Sequence, residues 1–239
     1  MTDLDSTAAD LRWLAATWPF VRQCLPPPPC RVVDLGCGPL GGFVPALRAE
    51  GFDAEGVDPE APAGPHYHQI RFEEYDVREP ASAIVASTSL HHVSDLDTIV
   101  DRITQCLDLG GLLVVMEWAW ERFDEATARW CFDRLADDEP GWLHRRREEW
   151  LTSGQSWDVY FDRWARSEGV HTGQDILRSL ATRLDTRLLA YGAILFPDLD
   201  GVSAADEQAA VDSSRIQAIG IRYVGRAKRA ERAVADTRS

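Results

Sequence analysis

The run Arg31-Val-Val-Asp-Leu-Gly-Cys-Gly-Pro-Leu-Gly-Gly42 constrains this chain more than any other stretch. Val32 and Val33 read as a short buried strand, and Asp34 stands where that strand ends. Gly36, Gly38 and Gly41 let the backbone turn tightly and approach a ligand closely. A helix starting after such a turn presents free N–H groups to whatever lies over it. The spacing satisfies G-x-G-x-x-G, and two carboxylates sharpen it: Asp34 just before the turn and Asp58 about twenty residues further on.

Four later segments follow in the order of an alternating strand–helix chain. Asp53-Ala-Glu-Gly-Val-Asp58 is a second strand ending in a carboxylate, which can accept hydrogen bonds from both hydroxyls of a ribose. His68-Gln-Ile-Arg-Phe-Glu-Glu-Tyr75 gives a third strand and its exit. Ala83 to Val93 gives a fourth strand running into Leu90-His-His-Val93, and Cys106 to Glu117 gives a Gly-Gly turn and a fifth strand.

Together with the glycine turn, these segments resemble the class I S-adenosylmethionine (SAM) methyltransferases. The resemblance implies a Rossmann-like α/β fold: a mostly parallel sheet with a C-terminal antiparallel hairpin. It implies SAM as cofactor, with Asp34, Gly36 and Gly38 holding the methionine end and Cys37 filling a slot in the turn. Asp58 and the adjoining Pro59 fall at the ribose, Glu73 at the adenine amino group, and Ser87 in the loop below the sulfonium. Two positions depart from the pattern: Leu109 replaces the usual proline before the double glycine, and Ser82 replaces an acidic residue opening the fourth strand. A nicotinamide dinucleotide enzyme is the rival for the glycine motif. Asp34 argues against it, because a carboxylate beside a pyrophosphate repels it, whereas it suits the cationic methionine end of SAM.

The 239 residues fit one domain, 1–239. Residues 10–24 carry apolar side chains at helical spacing and stop before the Pro26–Pro29 run, so 1–30 reads as a helix and a stiff spacer. Asp97–Leu107 reads as a crossover helix. Residues 121–185 read as three or four helices broken near Pro140-Gly141, Ser153-Gly154 and Gly169, inserted as a cap between the fifth and sixth strands. The closing hairpin is expected from Leu188–Phe196 and Ile219–Gly225, with a helix over 203–218 between them.

A net charge of −14 disfavours a nucleic-acid footprint, since phosphates are repelled over most of the surface. The locally basic tail from Arg222 onward is short. No stretch has the length and apolarity of a membrane span, and the acidic N-terminus lacks a signal pattern, which makes the cytoplasm the expected location. Five scattered cysteines without a C-x-x-C pair suggest neither a disulfide framework nor a zinc site. His66 and His68 have metal-like spacing but no third ligand nearby, so no metal is expected.

Methyl transfer from SAM is an in-line displacement from an activated sulfonium, and the protein chiefly has to orient the partners and exclude water. A base is needed only where the acceptor holds a proton. His92 and His91 are the candidates, His92 first, because related small-molecule methyltransferases use a histidine at the matching position. Glu117 either orients a substrate group or anchors the loop that follows it. Seven of the nine tryptophans lie between 118 and 164, and Trp118 and Trp120, directly after the fifth strand, are expected to wall the acceptor pocket. Trp157, Phe161 and Trp164 share a helix face and read as core, and Arg145–Arg147 as a solvated face. The expected reaction is O- or N-methylation of a small molecule, and an aromatic or otherwise flat, apolar acceptor suits the tryptophan walls. SAM-dependent non-methyl chemistry and a non-catalytic SAM-binding protein are the alternatives. Oligomeric state is left open.

Overall fold

A computed structural model describes residues 4–76, 79–136 and 141–228, with the side chains of 4–7 excepted. Pro140 and the basic tail beyond residue 228 lie outside the described residues.

The first strand, β1 (Arg31–Leu35), is central because Val32, Val33 and Leu35 are buried on both of its faces. Continuous apolar runs of this kind suit a parallel sheet covered on both sides. It pairs in parallel with β2 (Asp53–Val57) and with β4 (Ala81–Ser87). β3 (Tyr67–His68) extends the sheet beyond β2, and β5 (Leu107–Trp118) lies beyond β4. β7 (Gly220–Ala227) is antiparallel to β5 and to the edge strand β6 (Leu184–Gly192), so the order is β3-β2-β1-β4-β5-β7-β6. This is the mostly parallel Rossmann-like sheet with an antiparallel C-terminal end that the sequence implied.

Alternation along the strands divides the core. Val33, Ile84 and Val115 face α3 (Leu96–Cys106) and α7 (Gly173–Arg183), whose Ile99, Ile103, Ile176 and Leu180 cover that side. Val32, Val85 and Val114 face the other layer. That layer contains α1 (Leu4–Cys24), α2 (Val44–Ala49), α4 (Glu125–Phe132), α5 (Trp142–Ser153), α6 (Trp157–Glu168) and α8 (Ala204–Asp212). Trp157 is the largest fully buried side chain here, stacked on Phe161 at 4.7 Å and edge-on to Trp150 at 5.4 Å.

Several boundaries differ from those expected. The third strand is only Tyr67–His68, because the chain turns into a 3-10 helix at Phe72–Glu74 that buries Phe72. The helices inserted between β5 and β6 divide between the two sides of the sheet: α4, α5 and α6 join one layer, whereas α7 packs with α3 on the other. The sixth strand spans 184–192 rather than 188–196, because Glu207 captures the next stretch. Its buried carboxylate accepts the N–H groups of Ile194, Leu195 and Phe196 at 2.9, 3.1 and 2.7 Å, which holds them out of the ladder. α8 stops at Asp212, two residues before Ser214 adopts a left-handed φ of 56°.

Candidate active site

The strand order reverses between β1 and β4, which opens a crevice at their carboxyl ends, the usual ligand position in open α/β sheets. The glycine turn forms one wall. Gly36 has φ +76°, and a Cβ there would lie 2.4 Å from the Ser89 Cβ. Gly38 differs: at φ +62° a Cβ would meet nothing within 4 Å, because the residue faces the crevice. Cys37 packs inward over Gly56, where a Cβ would sit 2.7 Å from its sulfur. Its thiol pKa is pushed far up by burial.

A cavity of about 330 Å³ lies over this turn, bounded by Asp34, Gly36, Gly38, Asp58 and Ser87. Asp34 is 1 % exposed and accepts the Phe43 N–H at 2.6 Å. Burial raises its pKa to about 7; the Phe43 N–H counteracts this, and the Asp58 charge adds to it. A second cavity of about 350 Å³ adjoins it through Gly36, Asp58 and Ser89, and is lined by Pro59, Glu73, Phe72 and Ile99. Its apolar floor and acidic rim suit a purine ring with an exocyclic amine. The turn, the buried carboxylate and the paired cavities fit SAM in size and chemistry.

A third cavity, about 340 Å³, meets the first at Thr88 and His92. Its walls include Trp118, Trp142 and Trp164, with His91, Glu168 and Asp198 among the polar groups. His92 lines all three cavities, and its ring makes no hydrogen bond among the described residues. Burial, reinforced by the neighbouring His91, holds its pKa below the ordinary histidine value; Glu117 and Glu168 oppose this.

Glu117 is turned onto neighbouring backbone groups. It is fully buried and accepts the N–H groups of Leu90 and Trp118 at 2.9 and 3.0 Å. Its other contacts are the His91 N–H at 3.4 Å and His91 Nδ1 at 2.6 Å. A carboxylate can only accept, so the bond assigns the proton to Nδ1 and leaves Nε2 of His91 with its lone pair. The His91 and His92 rings lie 4.0 Å apart.

Two tryptophans depart from expectation. Trp120 is not in the acceptor cavity: it is buried, donates its indole N–H to the His171 carbonyl at 3.0 Å, and lines a separate cavity with Phe123 and Phe161. The 3-10 turn at Trp120–Arg122 swings it away from Trp118. Trp164, expected in the core, lines the acceptor cavity instead. Arg146 also turns inward, stacking over Trp164 at 4.7 Å while pairing with Glu149 at 2.7 Å. His68 bonds Glu55 at 2.7 Å, which accounts for it structurally.

The sequence reading missed α1 as a site element. Asp10, Trp13 and Leu14 close one side of the cofactor cavity, and the Trp13 indole donates to Ser87 Oγ at 2.8 Å. Arg12 pins this helix by donating to the carbonyls of Pro197 and Leu199, both at 3.0 Å. Thr88 was also missed. It carries a left-handed φ of 47°, and its N–H donates to the Met116 carbonyl at 2.7 Å, a strained residue at the junction of two cavities. Short-range spacing carries no signal for either.

Fold and site define a class I methyltransferase. The sequence profile of a family described as a methyltransferase domain matches residues 9–164. The chain belongs to that family, an enzyme with S-adenosylmethionine as its cofactor. Three solved structures are similar in fold. A SAM-dependent methyltransferase from Mesorhizobium loti is 20% identical, with 88% of this chain and 97% of that one covered and a TM-score of 0.54. The N-methyltransferase NodS from Bradyrhizobium japonicum, in complex with S-adenosylhomocysteine, is 16% identical (89% and 86% covered, TM-score 0.51). The geranyl diphosphate C-methyltransferase of Streptomyces coelicolor A3(2) is 18% identical (90% and 80% covered, TM-score 0.50). A comparison with curated protein sequences returns no match.

Proposed function

We propose that this enzyme methylates an oxygen or nitrogen atom of a small molecule seated in the tryptophan-walled cavity, beneath a cap formed by α4, α5 and α6. The observation that carries this is the junction at Thr88 and His92, where the acceptor cavity opens onto the cofactor cavity. The sulfonium of bound SAM supplies an activated methyl group. Asp34, Gly36, Cys37 and Gly38 hold the methionine end, Asp58 and Pro59 the ribose and Glu73 the adenine, while Ser87 is positioned by Trp13. The cavity's size and the net charge of −14 favour a small acceptor over a nucleic acid.

His91 is the better base, ahead of His92. Its Nδ1–H is held by Glu117, which fixes the tautomer and ring orientation and leaves the Nε2 lone pair free to accept a proton, as a buried carboxylate does for a catalytic histidine. Glu117 is then a positioning residue. His92, kept neutral by burial, borders the path between the two cavities.

Calorimetric titration with SAM, S-adenosylhomocysteine and NAD, on wild type and Asp58→Ala, tests the cofactor geometry. Micromolar binding of the adenosyl–sulfur ligands, weakened about tenfold by the mutation (roughly 1.4 kcal/mol), is expected. NAD binding, or no effect of the mutation, overturns the assignment. Labelled methyl transfer to a small-molecule panel then separates a methyltransferase from a non-catalytic binder.

A further inference from the structure

Three indoles stand around one cavity in a corner arrangement. Trp142 and Trp164 are both nearly perpendicular to Trp118, at 76° and 88°, with ring centroids 5.4 and 6.5 Å from it. These are edge-to-face contacts of the rings with one another, and the Trp164 ring already has Arg146 over it and Phe161 stacked on it; the three indoles wall the cavity as apolar surface whose open faces favour a cation over an anion. Two carboxylates, Glu168 and Asp198, line the same cavity. Neither forms an ion pair among the described residues. Among the described residues no lysine or arginine lines the cavity; Arg146, which stacks on Trp164, pairs with Glu149, and Arg12 acts on Asp198 from outside the cavity.

Asp198 is open to water through the cavity yet crowded by protein. Crowding raises its pKa, and the Trp142 indole N–H partly offsets this. A carboxylate so placed gains from a cation more than a freely solvated one does, because fewer water dipoles compete for it. A neutral phenol or alcohol can donate a hydrogen bond to these carboxylates but brings no charge to offset theirs. Anionic acceptors are repelled by them.

We infer that the acceptor is an amine carried on a flat or apolar body, bound as its ammonium ion among Trp118, Trp142 and Trp164 with Glu168 and Asp198 as counter-charges. This rests on the small-molecule methyltransferase reading and deepens it. Before attack the ammonium gives one proton to Nε2 of His91. The freed nitrogen lone pair then forms the N–CH₃ bond as the S–CH₃ bond breaks. S-adenosylhomocysteine leaves neutral, and the positive charge passes to the methylated ammonium, which the same walls accommodate. The proton on His91 returns to solvent.

The test pairs each amine with its oxygen isostere. Phenethylamine, tryptamine and their N-methyl derivatives are compared with 2-phenylethanol and tryptophol, as ligands of the S-adenosylhomocysteine complex and as acceptors in an assay for S-adenosylhomocysteine release. Amines are expected to bind at least tenfold more tightly than their isosteres and to be the methylated members. Glu168→Gln and Asp198→Asn should each raise the amine KM at least fivefold and leave the isosteres' binding within twofold. Trp164→Leu should weaken amine binding similarly. Equal or tighter binding of the alcohols, or no amine binding to a complex that holds S-adenosylhomocysteine normally, overturns the inference and leaves the methyltransferase reading intact. Failure to bind S-adenosylhomocysteine at all overturns that underlying reading.

Discussion

Replacing Asp34 with Asn should stabilise the free enzyme while weakening its grip on SAM. The carboxyl is 1 % exposed, and burial moves its pKa from 3.8 to about 7. That is about three units, and at roughly 1.36 kcal/mol per unit the ionised carboxylate costs the fold about 4 kcal/mol. The sign follows from linkage. The native state binds the extra proton between about pH 4 and 7, so stability falls as pH rises through that window, and the full penalty is present above pH 7. Asn keeps an oxygen to accept the Phe43 N–H and carries no charge. Urea unfolding of both proteins at pH 5 and 8 should show Asp34→Asn gaining up to about 4 kcal/mol at pH 8 and far less at pH 5. Calorimetry at pH 8 should show SAM affinity lowered at least tenfold, because the charge facing the cationic methionine end is gone. A stability gain that is the same at both pH values, or a loss at pH 8, would refute the reasoning. So would unchanged SAM binding.

Glu117→Ala leaves the Leu90 and Trp118 N–H groups and the His91 ring without their acceptor; a loss of about 3 kcal/mol in denaturant unfolding is expected. His91→Asn should lower kcat at least a hundredfold and leave SAM affinity within about threefold, whereas His92→Asn should affect kcat less; the reverse ranking would return the base to His92. Gly38→Ala places a methyl group in open cavity space at φ +62°, so it should lower SAM affinity severalfold at about 1 kcal/mol of stability. Gly36→Ala meets Ser89 and should destabilise considerably more, which thermal unfolding of the two variants would distinguish. Trp13→Phe removes the bond to Ser87 and should weaken SAM binding severalfold by calorimetry, with a loss of stability as well because the ring is buried in the core.

The family, the cofactor and the parallel sheet were legible in the chain because each rests on short-range chemistry. A strand, a glycine turn and a carboxylate occupy consecutive residues from 31 to 42, so their geometry is written in local φ preferences and one hydrophobic run. Asp58 lies at the exit of β2, where the run of the strand puts it, whereas Glu73 reaches its cavity from the 3-10 turn beyond β3. The acceptor side was not legible in this way. Trp118 and Trp120 are neighbours of the same residue type, yet one walls the cavity and the other is buried on the His171 carbonyl, because a 3-10 turn separates them. Trp157 and Trp164 share one helix face, but only the second reaches the cavity, where the helix passes its rim. Arg146 turned inward for a ring that lies eighteen residues away in sequence. Glu207 and the Ile194–Phe196 backbone, Trp13 and Ser87, and His91 and Glu117 are joined only through packing. Local spacing decides how the backbone turns around a cofactor. Which side chains surround the acceptor is decided by how the helices beyond β5 pack on the sheet, an energy summed over many distant contacts that no short stretch of sequence contains.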